Sequence, residues 1–237
     1  MIEFGHGTHV GLRRDHNEDT YCAEAGLGLW LVADGMGGHD QGEVASALAR
    51  DTVVDEIRAG KSLVDAIRGA AERIVDHSRA RETNLPMGTT LVAAQIQDPH
   101  YEVAWVGDSR VYQWSNALQQ LTSDHSYVQE LVDQGAITAE QARTHPHRNV
   151  VTQALGVTEP TTLRVDTVKG ELATGDMLLL CSDGLTEEVD DDYISHVLSQ
   201  GGMTAQERVD HLILAALDSG GSDNITVLLV ASKPGEL

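Results

Sequence analysis

The chain has 237 residues, 41% apolar and 22% charged, a composition ordinary for a folded globular protein and sufficient for one substantial core. Against 16 Lys and Arg stand 37 Asp and Glu, and the formal charge of −21 sets aside nucleic acid and anionic membrane as partners. No apolar run reaches bilayer length, Met1-Ile2-Glu3 opens no signal peptide, and Cys22 and Cys181 show neither disulfide nor metal spacing, so a single cytoplasmic domain over 1–237 is expected.

In chain order, residues 1–25 read as irregular or strand structure carrying Arg13-Arg14-Asp15-His16-Asn17-Glu18-Asp19. Leu29-Trp30-Leu31-Val32-Ala33 is an apolar run of strand length that ends in Asp34 and then in three glycines within four residues. That pattern delivers one carboxylate to a sheet rim, with Gly35 expected to hold a tight turn and leave its carbonyl facing the same way. Two helices follow, with apolar stripes Val44, Ala45, Leu48, Ala49, Val53, Ile57 and Leu63, Ile67, Ala70, Ile74, Val75. After Pro86 come strands at 89–96, 102–106, 110–114 and 118–121, with Gly107-Asp108-Ser109 joining two of them and Ser115-Asn116 at a hairpin tip.

The stretch 123–149 has polar helical patches and the histidines His125, His145 and His147, and reads as a flap beside a site rather than a ligand set. Regular structure resumes at 149–155, with strands at 161–168 and 177–181. Helices are expected at 190–199 and 204–217, and a last strand at 224–231. Blocks of strands and paired helices, without βαβ alternation, argue for an α+β layered fold. Trp30, Trp105 and Trp114 fall in strands and read as core.

The strand–Asp–Gly pattern recurs at Met177-Leu178-Leu179-Leu180-Cys181-Ser182-Asp183-Gly184, and a further acid, Asp223, directly precedes the apolar run 225–231. Carboxylates delivered to strand ends from distant parts of a chain are what a hard divalent cation site is built from. If Asp34, Asp183, Asp223, Glu18 and Asp19 converge, they hold two cations with a bridging water whose lowered pKa supplies hydroxide near neutral pH. The natural electrophile is a phosphate ester, its oxygens held by the Arg14 guanidinium. The sequence has no Gly-x-Ser-x-Gly elbow, low-pKa cysteine motif or phosphate-cradling Gly-x-x-x-x-Gly-Lys loop, so direct hydrolysis without a covalent enzyme intermediate is expected.

Seven motifs in order give the chain a resemblance to a known family. They are Arg14-Asp15-His16-Asn17-Glu18-Asp19, Val32-Ala33-Asp34-Gly35-Met36-Gly37-Gly38-His39, Met87-Gly88-Thr89-Thr90, Val106-Gly107-Asp108-Ser109-Arg110, His147-Arg148-Asn149-Val150-Val151-Thr152, Cys181-Ser182-Asp183-Gly184-Leu185 and Ser222-Asp223-Asn224-Ile225-Thr226. Together these resemble the metal-dependent serine/threonine protein phosphatases of type 2C in their compact bacterial form. The resemblance implies a β-sandwich of two mainly antiparallel sheets flanked by antiparallel helix pairs, in α-β-β-α layers. It implies Mn²⁺ or Mg²⁺, with Asp34 bridging two ions, the Gly35 carbonyl on one, and Asp183 and Asp223 on the other. Glu18 and Asp19 bind directly or through water, Asp108 joins Asp183 at a weaker third ion, and Arg14 binds phosphate. The implied substrates are phosphoserine and phosphothreonine in proteins, opposing a bacterial Ser/Thr kinase.

Met36 stands where the animal branch has a histidine after Asp-Gly, so metal-bound water or a nearby histidine must protonate the leaving group, and His39 is the nearest in sequence. Nothing in the sequence demands assembly, and a monomer is expected. Two other readings stay open here: a non-catalytic binding or sensor module of the same fold, and a hydrolase of small phosphoesters.

Overall fold

The computed structural model describes residues 1–37, 41–80 and 87–234. Strand β1 (Ile2–His9) and β2 (Asp19–Glu24) lead into β3 (Leu29–Gly37), then helices α1 (Gln41–Arg58) and α2 (Leu63–Ala80). Strands β4 (Met87–Thr89), β5 (Leu91–Gln97), β6 (His100–Val106), β7 (Arg110–Trp114) and β8 (Leu118–Gln120) follow. Short helices α3 (Tyr127–Asp133) and α4 (Ala139–Arg143) precede β9 (Asp166–Glu171) and β10 (Met177–Cys181). The chain closes with α5 (Asp183–Thr186), α6 (Asp191–Ser199), α7 (Ala205–Ser219) and β11 (Ile225–Ser232).

The strands form two antiparallel sheets. One runs β1-β11-β10-β7-β8, the other β2-β3-β5-β6-β9 with β4 added against the end of β3. Successive strand residues point to opposite faces, so each central strand feeds two core layers. From β3, Leu29, Leu31 and Ala33 pack under α1 and α2, while Trp30 and Val32 meet Leu178, Leu180, Leu228 and Val230 between the sheets. From β10 and β11, Leu179, Cys181, Val227 and Leu229 pack under α6 and α7. The result is α-β-β-α layering, and burial on both faces explains why β3 and β10 are apolar throughout rather than alternating.

The helices carry their own start signals: Thr204 and Glu207 form a reciprocal capping box at α7, and the Asp190 carboxylate accepts from the Tyr193 N–H at α6.

One expected strand moved. The strand read at 161–168 lies at 166–171, because Val103 and Trp105 of β6 pair with Val168 and Asp166. Its sequence Asp-Thr-Val-Lys-Gly-Glu is polar because it forms a half-buried edge. Residues 149–155 make only isolated bridges, Ser126 to Val151 and Thr89 to Leu155, which tie that segment back to the body. The flap stretch does hold two short helices, α3 and α4. Trp30 and Trp105 are buried core, and Trp114 is partly exposed.

Candidate metal centre

β2 and β3 pair so that Asp19 stands directly opposite Asp34. Side chains opposed across an antiparallel pair lie on one face, about 5 Å apart at Cβ, where two like charges repel. Asp34 is fixed from behind by the Thr-Thr pair at the end of β4: the Thr90 N–H and the Thr89 hydroxyl both donate to the Asp34 carbonyl, at 2.9 Å each. Asp183 opens α5 at the end of β10, and its carboxyl is in hydrogen-bonding reach of that of Asp34. Asp223 sits in the loop before β11, where the Asn224 N–H donates to its Oδ1 at 2.8 Å. Asp108 is buried in the β6–β7 turn, beside the bonded hydroxyls of Thr90 and Ser109.

The expected turn at Gly35 is absent: β3 runs on through Asp34-Gly35-Met36-Gly37 and pairs with β4, and Gly35 keeps ordinary strand backbone. Gly35 is needed for close approach instead. A Cβ there would lie 2.1 Å from the Gly42 carbonyl oxygen of α1 and 2.6 Å from that of Glu18. Gly184 has the same use, since its Cβ would lie 1.9 Å from the Asn224 carbonyl oxygen. The Glu18 carboxylate lies against Gly42 in the first turn of α1, and the Glu18 N–H donates to Asn224 Oδ1 at 2.8 Å. Two loops distant in sequence are thereby pinned to one spot.

Arg14 reaches the cluster from the solvent side. Its Nη2 donates to Asp223 Oδ2 at 2.6 Å, and its side chain remains 54% exposed. The Asp223 carboxylate raises the guanidinium's already high pKa. His39 lies outside the described residues.

Electrostatics mark the cluster as unfinished without cations. Burial first, then Asp19, Asp183, Asp108 and Asp223, push the Asp34 carboxyl well above the carboxylate range. Burial with repulsion from Asp223 lifts Asp183 to about 6. Burial also lifts Asp19 to about 6, against the pull of two hydroxyl hydrogen bonds. Asp108 is pushed up by burial and by Asp183. Oδ1 of Asp19 and Oδ1 of Asp183 are buried without a hydrogen-bond partner among the described residues. Oxygen-only donors, orphaned carboxylate oxygens and mutual repulsion fit hard divalent ions. Among the described residues no three His, Cys, Asp or Glu side chains are gathered closely enough to hold a metal ion as they stand.

The segment 123–149 covers one side of the cluster. A cavity of about 260 Å³ lies between them, walled by Asp108, Asp183 and Glu187 on one side and by Val128, Arg143 and Arg148 on the other. The sequence did not reveal what roots this segment. The Arg110 guanidinium grips Asp124 through both carboxylate oxygens. Buried His125 accepts from the Gly107 N–H at Nδ1 and bonds Asp166 Oδ2 at 3.1 Å through Nε2. These pairs join residues 14, 18 and 41 positions apart, and no local pattern signals them.

The family model described as Protein phosphatase 2C matches residues 8–217. The serine/threonine phosphatase stp of Listeria monocytogenes is 40% identical over 237 aligned residues, covering 94% of this chain and 93% of that protein. The crystal structure of the Mycobacterium tuberculosis serine/threonine phosphatase PstP/Ppp superposes with a TM-score of 0.90 at 35% identity, covering 98% of this chain and 99% of that one. A structure of the PstP catalytic domain in complex with two manganese ions matches with a TM-score of 0.86 at 33% identity, covering 98% and 99%. The chain therefore belongs to the protein phosphatase 2C family, and it is a metal-dependent protein serine/threonine phosphatase.

Proposed function

We propose that Asp34, Asp183, Asp223, Glu18 and Asp19, with the Gly35 carbonyl, hold two Mn²⁺ or Mg²⁺ ions, and that Asp108 with Asp183 serves a weaker third. The observation that carries this is the opposition of Asp19 and Asp34 with Asp183 in hydrogen-bonding reach, since buried like charges need cations between them. Bound there, such ions supply an acidified water as nucleophile and positive charge against the phosphoryl oxygens. The protein's own work is positioning. Threonines 89 and 90 hold the Asp34 backbone, and Asn224 holds the Glu18 loop. Arg14 is half-exposed and, among the described residues, pairs with the rim carboxylate of Asp223, which leaves its second face for a phosphate's non-bridging oxygens.

The substrates are phosphorylated proteins, and the opposing enzyme in our reading is a bacterial Ser/Thr kinase. We read 1–237 as one catalytic domain, monomeric and cytoplasmic, with 123–149 as a flap over the substrate side. No helix among the described residues is long and apolar enough to cross a membrane.

The test is phosphate release from a phosphothreonine peptide by wild type and Asp34→Asn, with Mn²⁺, with Mg²⁺ and with chelator. A phosphotyrosine peptide and a nucleotide complete the panel. Metal-dependent phosphothreonine hydrolysis that collapses in the variant is the expected result. Activity that survives Asp34→Asn sinks the assignment of ligands.

A further inference from the structure

Asp19 is more than nine-tenths buried, and its two oxygens are treated differently. Oδ2 accepts from the Thr226 hydroxyl at 2.6 Å and from the Ser182 hydroxyl at 2.8 Å. Oδ1 has no partner among the described residues. Thr226 is the second residue of β11, and Ser182 directly precedes Asp183. Thr226 therefore comes from the five-stranded sheet and Ser182 from the end of its strand β10, while Asp19 begins the edge strand of the other sheet.

The direction of every hydrogen in this chain of contacts follows from the chemistry of its ends. Asn17 Oδ1 accepts from the Asp19 N–H, so its amide nitrogen faces Thr8 and donates to Thr8 Oγ1 at 2.8 Å. A carboxylate only accepts, so the Thr226 hydroxyl donates to Asp19. Thr226 Oγ1, 2.8 Å from Thr8 Oγ1, must then accept from it. Ser182 likewise donates to Asp19 and accepts the Thr226 N–H at 3.0 Å. Each link polarises the next, and all of them end on one oxygen.

We infer that Thr226 and Ser182, backed by Thr8 and Asn17, are positioning residues that saturate Oδ2 of Asp19 and leave Oδ1 as its single oxygen presented to the metals. This rests on the reading of Asp19 as a ligand, direct or through water. Ordering one carboxylate by two hydroxyls, one in the opposite sheet and one at the end of its strand β10, also fixes how closely the sheets approach at the site. Second partners of this kind commonly govern metal affinity about 10- to 100-fold.

The experiment is calorimetric titration of Mn²⁺ into chelator-stripped full-length protein, paired with the Mn²⁺ concentration for half-activation and kcat at saturating Mn²⁺. Thr226→Val, which keeps shape and removes the hydroxyl, is expected to weaken Mn²⁺ binding about 10- to 100-fold while saturating kcat changes far less. Thr226→Ser is expected to restore affinity, and Thr8→Val to cause a smaller loss. A folded Thr226→Val with wild-type affinity overturns the inference, as does a Thr226→Ser no better than Val. Should Thr226→Val fail to fold, Thr8→Val takes its place, and unchanged affinity there is equally fatal. Asp19→Asn separates the levels: loss in Asp19→Asn without loss in the hydroxyl variants defeats this inference alone, and wild-type affinity in Asp19→Asn defeats the ligand reading with it.

Discussion

Gly35→Ala tests whether the site depends on backbone contact rather than on turn formation. The added Cβ would sit 2.1 Å from the Gly42 carbonyl oxygen and 2.6 Å from that of Glu18. To restore a 3.0 Å contact, α1 must withdraw by about 0.9 Å and the Glu18 loop by about 0.4 Å. Gly35 cannot retreat from both, because its own N–H donates to the Glu18 carbonyl at 3.1 Å and it pairs with Thr89. Overpacking of this kind costs about 1–3 kcal/mol, here at the upper end because both neighbours are backbone. For a chain of this size about 3 kcal/mol lowers the melting temperature by about 6–12 °C. Displacing the proposed ligands by most of an ångström should also lower kcat about 100-fold. The assay is a melting curve in chelator together with phosphothreonine-peptide turnover at saturating Mn²⁺. Gly26→Ala is the control, since a Cβ there meets nothing within 4 Å, and it should change stability by less than about 0.5 kcal/mol. Gly35→Ala with a wild-type melting point and turnover within threefold, on the order of 0.7 kcal/mol in barrier, would refute the close-approach argument.

Arg14→Ala removes an ion pair whose arginine is 54% exposed, so stability should change by less than about 1 kcal/mol. Its kcat/KM on a phosphopeptide should fall about 10- to 100-fold through loss of a charged hydrogen bond to phosphate, and a fall in stability without a fall in kcat/KM would contradict that role. Asp19 and Asp183 titrate near 6 in the metal-free fold against an ordinary 3.8. Between about pH 4 and 6 the folded state therefore binds more protons than the unfolded one, and their contribution to stability declines as pH rises through that window. In chelator, Asp183→Asn should accordingly gain on wild type in melting temperature from pH 4 to 6, and a flat or inverted difference contradicts the coupling. His125→Ala strips the acceptor from a buried Gly107 N–H and should cost about 1–3 kcal/mol, read by melting. Proteolysis between 133 and 149 should accelerate in the same variant, and unchanged cleavage would show that His125 does not root that segment.

The legible parts of this protein share one property: their signal is local. Leu29 to Ala33 and Met177 to Cys181 are buried on both faces, so each is an unbroken apolar run, and the carboxylates after them stand out because the apolar run stops there. Amphipathic helices α1 and α2 bury one stripe each, and their spacing is written in consecutive residues. The seven ordered motifs carried the rest of the reading, including both site arginine and acids. Strand β9 was misplaced because an edge strand that buries half of each residue pair carries no apolar run, and only its register against β6 locates it.

What the sequence by itself determined was the layered fold class and the phosphoester chemistry, and it named the acids proposed as ligands. Tertiary structure alone decided how those acids are held. Asp19 faces Asp34 through strand register, and Ser182 and Thr226 reach Asp19 from 163 and 207 residues away. Gly35 and Gly184 are glycine because carbonyls of other elements press on them, not because they turn the chain. Each of these is a contact between segments remote in sequence. A residue's own neighbours along the chain constrain its backbone and its face, but they carry no information about which distant hydroxyl or carbonyl packing will bring against it.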